Sequence, residues 1–331
     1  MLPKKIQEIF WVAEVSGWRA HKGQLQWASK PLAELPSGWA RLELVLGGVC
    51  GTDLQLIQGY ADFEGFLGHE FVARVCECPT PGWLGQLVVG EINVGCGHCS
   101  ECAGGDARFC PARKVLGIRG LDGAFAQSFQ LPLQNLHPVG TLDPALAVWC
   151  EPVAAALEVE QHLPLGAEVL VLGDGRLGSL IALALQTRHR VTLVGRHPAK
   201  LERLRGLGLE AVETVSGQWP CVVEASGTAR GLVDALGRVR PRGTVVIKST
   251  VARPEVVDMT PVVVQALHLV GSRCGSIGLA LKALQAGLLD PRPLVDQVLE
   301  LADFPLAIPR RDWVKVLLKG SGGSGAAEES R

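Results

Sequence analysis

The hexapeptide GDGRLG lies between a strand pattern, AEVLVL, and a helix pattern, RLGSLIALAL, and this junction constrains the fold more than any other feature. It places Gly173, Gly175 and Gly178 in the spacing G-x-G-x-x-G, with Arg176 and Leu177 inside the turn. Between a strand and a helix, such glycines make a tight turn and let the backbone approach a pyrophosphate. They also let the helix pack close to the sheet, with its N-terminus facing the phosphates. A strand–helix turn with no ligand is the plainer alternative. The alternation continues through RVTLVG (190–195), PAKLERLRGLG (198–208), CVVEAS (221–226), ARGLVDALGRV (229–239) and GTVVIKS (243–249). Strand and helix periods in turn are the signature of a parallel α/β sheet. The expectation is a doubly wound Rossmann sheet that binds a dinucleotide.

The end of the second strand informs the choice of cofactor. An acidic residue there would hold the ribose hydroxyls of NAD. The sequence reads VTLVGRHPAK instead, with Gly195 in the acidic position and Arg196 after it. A missing carboxylate removes repulsion toward a 2′-phosphate, and a guanidinium can pair with one. The expectation is NADP in preference to NAD, the alternative being that Arg196 is a solvated loop cation. Ser272 and Arg273, in GSRCG, are further candidates for cofactor contact.

Outside this region the patterning differs. Residues 1–135 read as short strands, among them RLELVLGGVC (41–50), EFVARVCEC (70–78) and GQLVVGEINV (85–94). ALAVWCEPVAAALEVEQHL (145–163) reads as mostly helical. An amphipathic helix is expected over 278–289 and a strand over 314–319, and the low-complexity tail 321–331 reads as disordered. No internal repeat is present.

Four of the ten cysteines crowd into GCGHCSECAGGDARFC as Cys96, Cys99, Cys102 and Cys110. Zinc takes four tetrahedral thiolates, and a loop this short can wrap them around one ion. Binding in such loops contributes roughly 10–16 kcal/mol in isolated peptides, so the loop needs no hydrophobic core of its own. An iron–sulfur cluster can share the C-x2-C-x2-C part of the spacing and stays open as an alternative. A closed four-thiolate site leaves no free position, so this zinc would be structural.

Three further motifs are GGVCGTD (47–53), GHE (68–70) and CEP (150–152). With the cysteine lobe and GDGRLG, in this order, the chain resembles the zinc-dependent medium-chain dehydrogenase/reductases, and most closely their polyol, threonine and sugar dehydrogenase branch. The resemblance covers residues 1–319. It implies a GroES-like β-rich catalytic domain, 1–152 with 277–320, and a Rossmann domain, 153–276. It implies two zinc ions per chain. For the catalytic ion it matches Cys50 to the thiolate ligand, His69 to the imidazole, Glu70 to the adjacent carboxylate and Glu151 to the last ligand. Cys150 is the rival for that last position, although Glu-Pro fits the polyol pattern. Thr52 matches the hydroxyl that relays a proton to or from the substrate oxygen. Asp53 matches the carboxylate that orients the ligand histidine. A titrating histidine that continues the proton path in many relatives is replaced by Gln55. The segment 299–313 is shorter than its counterpart in relatives.

Such a set makes chemical sense. One thiolate, one imidazole and one or two carboxylates leave zinc an open position for an alcohol oxygen, and hydride passes to or from the nicotinamide. The expected activity joins an alcohol, polyol or sugar to its carbonyl. The alternatives are a zinc-independent enone or quinone reductase of the same superfamily, and a catalytically silent zinc- and nucleotide-binding protein. The formal charge of −1 and the absence of a basic, aromatic-rich flank around the lobe argue against nucleic acid. No apolar run approaches the roughly 20 residues that cross a bilayer. The expected setting is cytoplasmic and the expected assembly a homodimer or homotetramer, with VVVQALHLV (262–270) a candidate edge.

Overall fold

The computed structural model describes residues 14–228, 230–250, 256–308 and 313–320. The first residues and the tail 321–331 lie outside these, as does the end of the 299–313 segment at 309–312.

The alternating region forms a six-stranded parallel sheet. In spatial order its strands are Glu210–Val212, Arg190–Val194, Glu168–Leu172, Trp219–Glu224, Val239–Ile247 and His268–Gly271. Numbered along the chain this is 3-2-1-4-5-6, the doubly wound dinucleotide order, whose ligand crevice lies where the order reverses, at the C-terminal ends of the first and fourth strands. The first strand is nearly all aliphatic, with Val169, Leu170 and Val171 fully buried, as a strand covered on both faces requires. The helix Arg176–Leu185 packs directly against it. A Cβ on Gly178 would lie 2.0 Å from the Gly173 carbonyl oxygen, so only glycine permits that approach.

The β-rich region folds around a seven-stranded mixed sheet. Trp39–Gly48 is central and pairs with Glu70–Glu77, Ser128–Pro132 and Lys315–Lys319; the last of these pairs in turn with Val295–Glu300. The chain therefore returns after the parallel sheet to complete the sheet it began. The 299–313 segment contributes a 3-10 stretch, Leu301–Ala307, which inserts the fully buried Phe304 against Phe125 at 5.0 Å between ring centres. Two helices, Cys150–Leu157 and Ile277–Gln285, pack on one another at the seam between the two sheets. Among the described residues no helix is long and apolar enough to cross a membrane.

Candidate active site

A cavity of about 560 Å³ opens between the two sheets. Cys50, Thr52, His69, Glu70, Glu151, Arg176, Leu177, Ser272 and Arg273 all line it, so the structure brings together residues that the sequence scatters. Each is delivered by a definite element. Cys50 caps the short helix Gly51–Ile57, and the Asp53 carboxylate accepts the Cys50 amide at 2.8 Å, which fixes the start of that helix. Glu70 opens the strand Glu70–Glu77, and Glu151 sits in the first turn of Cys150–Leu157.

The donor atoms of Cys50, His69 and Glu70 lie within 4.8 Å of one another. Burial alone would lower the His69 pKa, yet the charges of Asp53 and Cys50 push it well above the usual imidazole value. A pocket that draws a proton this strongly also suits a cation. The His69 Nδ1 atom is buried without a hydrogen-bond partner. Asp53 stands 3.4 Å from it, near enough for charge attraction but off the line of a hydrogen bond. Asp53 instead holds the loop, through the amides of Cys50 and Gly68. Thr52 Oγ1 is 3.7 Å from Cys50 Sγ. Burial pushes the Glu151 carboxyl up to about 7, with His69 opposing and Glu70 adding to the shift. Cys150 does not line the cavity, and burial raises its thiol to about 12, so it is the poorer ligand of the neighbouring pair.

Two lysines enter that the sequence reading did not single out. Lys315 Nζ is paired with Glu70 Oε2, both side chains being buried, and lies 5.1 Å from the centre of the Trp149 ring. Lys248, at the end of the fifth parallel strand, donates to Ser272 Oγ at 3.1 Å and to the Arg273 carbonyl at 3.0 Å. Burial lowers it to about 8. The available signal was a lysine within or at the end of two largely apolar strand patterns, VKVLLK and GTVVIKS.

The four lobe thiols, Cys96, Cys99, Cys102 and Cys110, also lie within 4.8 Å of one another. The Cys96 amide donates to Cys110 Sγ at 3.4 Å. The His98 amide leads the bonds that lower the Cys96 thiol to about 6, which readies a thiolate for a metal. A Cβ on Gly95 would lie 2.5 Å from Cys102 Sγ, so the glycine makes room for the cluster. His98 turns outward onto the Cys96 carbonyl, and Cys76 bonds the Arg41 carbonyl, so neither belongs to a cluster.

At the nucleotide end, nothing lies within 4 Å of a Cβ built on Gly175, which caps Arg176–Leu185 with no side-chain bond. Arg176 Nε is buried without a partner beside it. Open amides, an open cradle and an unsatisfied guanidinium fit a pyrophosphate. The view of the next loop as lacking a carboxylate needs correction. Asp174, from the glycine motif itself, occupies that place. Its Oδ2 accepts the amides of Arg196 and His197 at 2.8 and 2.7 Å, and His197 Nδ1 lies 3.0 Å from both oxygens. Burial opposes its ionisation, but these bonds hold the carboxyl below the usual range. Gly195 is glycine because a Cβ there would lie 2.4 Å from the Asp174 Cβ. The Asp174 side chain is 8% exposed and turned onto the loop, whereas Arg196 faces solvent.

Comparison with known proteins agrees with this geometry. Residues 36–141 match the alcohol dehydrogenase GroES-like domain. D-altritol 5-dehydrogenase of Agrobacterium fabrum is 29% identical over 76% of this chain and 81% of its own. The solved alcohol dehydrogenase of a Thermus species superposes with a TM-score of 0.83 at 26% identity, over 92% of this chain and 99% of its own. Residues 36–141 thus carry the alcohol dehydrogenase GroES-like domain, and the chain is similar along most of its length to alcohol and polyol dehydrogenases. An Escherichia coli alcohol dehydrogenase solved with NADH shares the fold of this chain, with a TM-score of 0.83 at 22% identity over 92% and 99% of the two chains.

Proposed function

We propose that the chain is a zinc- and NAD(P)-dependent dehydrogenase that converts a secondary alcohol of a polyol or sugar to its carbonyl, and the reverse. The observation that carries this reading is the meeting of Cys50, His69 and Glu70 in one cavity with the open helix start at Gly175 and Arg176. Cys50, His69 and Glu151, with Glu70 alongside, would hold one zinc; the four lobe thiols would hold a second, structural one. Bound there, zinc would supply Lewis acidity toward the alcohol oxygen and the nicotinamide would serve as the hydride acceptor. The alcohol proton leaves by the Thr52 hydroxyl. The reaction would balance as one hydride to the cofactor and one proton to solvent for each alcohol oxidised. Asp53 keeps Cys50 and His69 in register by holding the amides of their loops. Lys315 holds Glu70 in place.

The division into 1–152 with 277–320 and 153–276 is part of this reading, supported by the pairing of Lys315–Lys319 with Trp39–Gly48. So is NADP as the preferred cofactor, now resting on exposed Arg196 and His197 presented by a loop that Asp174 anchors. Assembly as a homodimer or homotetramer is supported by His268–Gly271 at the open edge of the parallel sheet, beside exposed Val263 and Val264. A cytoplasmic setting is supported by ten cysteines that all stay unpaired. The test is a screen of polyols, sugars and amino alcohols with each cofactor, following absorbance of the reduced nicotinamide. Cofactor reduction with a polyol supports the reading; no reduction by zinc-loaded protein with any of them removes it.

A further inference from the structure

The wall of the cavity contributed by the strand Lys114–Leu116 and its following turn has an unbalanced charge. Arg113 and Arg119 both line the cavity there, on either side of Val115 and Ile118. Arg113 Nη1 donates to the Cys110 carbonyl at 3.2 Å, but its Nε is buried with no partner. Guanidiniums gathered in a half-buried wall repel one another and lose hydration, which is costly unless an anion compensates.

No carboxylate of the described residues forms an ion pair with Arg113, Arg119 or Arg273. Arg273 spends its donors on the Arg108 carbonyl and the Asn93 amide oxygen, both uncharged. The acids that line the cavity are Glu70 and Glu151, neither of which pairs with these arginines, and Glu70 is already paired with Lys315. The cofactor phosphates have their own cradle at Gly175 and Arg176, and the loop at Arg196 lies beyond it. Among the described residues Arg113 and Arg119 are therefore left without a carboxylate partner.

We propose that the substrate of this site carries an anionic group, a carboxylate or a phosphate monoester, which seats against Arg113 and Arg119 while its hydroxyl faces the zinc ligands. Arg113 supplies the bidentate contact from within the wall, and Arg119 adds a second charge at the mouth. The inference rests on the dehydrogenase reading for the hydroxyl, but the anion site stands on its own charges.

Binding and turnover separate the two. Isothermal titration of the zinc-loaded protein with reduced cofactor would use three ligands of one carbon skeleton: sorbitol, gluconate and sorbitol 6-phosphate. At least one anion is expected to bind tenfold or more tightly than sorbitol, with an advantage that shrinks as salt is raised. Tighter binding of gluconate alone assigns a carboxylate, and of sorbitol 6-phosphate alone a phosphate ester. Arg113→Gln and the exposed-site variant Arg119→Gln are each expected to cut that advantage by about ten- to a hundredfold, the range of a charge-assisted bond. Arg113→Lys should recover part of it. Equal binding of all three ligands, or an advantage unmoved by both glutamine variants, would overturn the proposal. Anion binding without hydride transfer keeps this site and removes the dehydrogenase reading. Hydride transfer from polyols with no anion preference does the reverse.

Discussion

The two cysteine-bearing centres of this chain are assembled in opposite ways. The lobe takes Cys96, Cys99, Cys102 and Cys110 from one loop, with glycine at the point of closest approach. The reactive cavity takes Cys50, His69, Glu70 and Glu151 from three separate elements and adds Lys315 across 245 residues of sequence. A centre closed within one loop should live or die with its own ion. A centre closed by the whole fold depends on buried charges whose partners arrive from far away, so each partner removed leaves another stranded.

The largest effect expected from this contrast is in the lobe. Cys99→Ser or Cys102→Ser should remove one zinc equivalent and most of the lobe's local stability, because its binding energy is its folding energy. The loss should spread inward, since Arg108 of the lobe donates to the Cys274 carbonyl at 2.7 Å and meets Glu158 at 3.1 Å. Hydrogen exchange would show 96–110 opening first and the segment around Cys274 following. Opening confined to the lobe would mean that the two centres are independent.

Next in size is the buried pair. Lys315→Met strands the Glu70 carboxylate at 2–3% exposure, and breaking such a pair typically costs about 3–5 kcal/mol. Urea unfolding of the variant should show this, and Glu70→Gln in the same chain should restore part of it. A cost for Lys315→Met no larger than for a surface lysine would show that the pair is not closed in solution.

The pH dependence should differ in sign between the metal-free and zinc-loaded cavity. Glu151 is raised from 4.5 to about 7, so the folded state binds more protons than the unfolded state between these values. Chelated protein should then lose stability as pH rises from about 4.5 to about 7, and Glu151→Gln should flatten that slope. The raised His69 adds a loss of the same sign through its own folded pKa. Zinc binding releases these protons, so zinc affinity should climb over the same window. A thermal melt series with and without chelator measures both slopes.

The smallest effect concerns the cofactor loop. Arg196→Ala should narrow the ratio of kcat/KM for NADP over NAD by about ten- to a hundredfold, the range of one charge-assisted contact. Asp174→Asn keeps the loop's shape with a weaker acceptor and should raise KM for both cofactors. Gly195→Asp is a poor probe, because its Cβ would collide with Asp174. Equal ratios in wild type and Arg196→Ala would return Arg196 to the role of a solvated cation.

What was legible in the sequence follows the same division. The lobe and the glycine turn are short-range patterns, and the parallel character of the second sheet followed from the alternation of its strands with helices. The pairing of Lys315 with Glu70 was not legible, because register in a mixed sheet decides which inward residue meets which. Asp174 was hidden for a related reason. The acid expected at the end of the second strand stands instead in the first strand's turn, and a carboxylate reaching sideways between adjacent parallel strands leaves no periodic trace. The arginine wall likewise depends on how the turn after Leu116 lies against Arg273.

The central claim is that one metal centre is chemical and the other structural, and zinc content measured beside turnover in His69→Ala tests it most directly. Wild type should carry two zinc equivalents and reduce NAD(P) with its alcohol substrate. His69→Ala should keep one zinc and a cooperative unfolding transition while turnover falls below detection. A folded His69→Ala protein that retains both zinc ions and wild-type turnover would contradict the account.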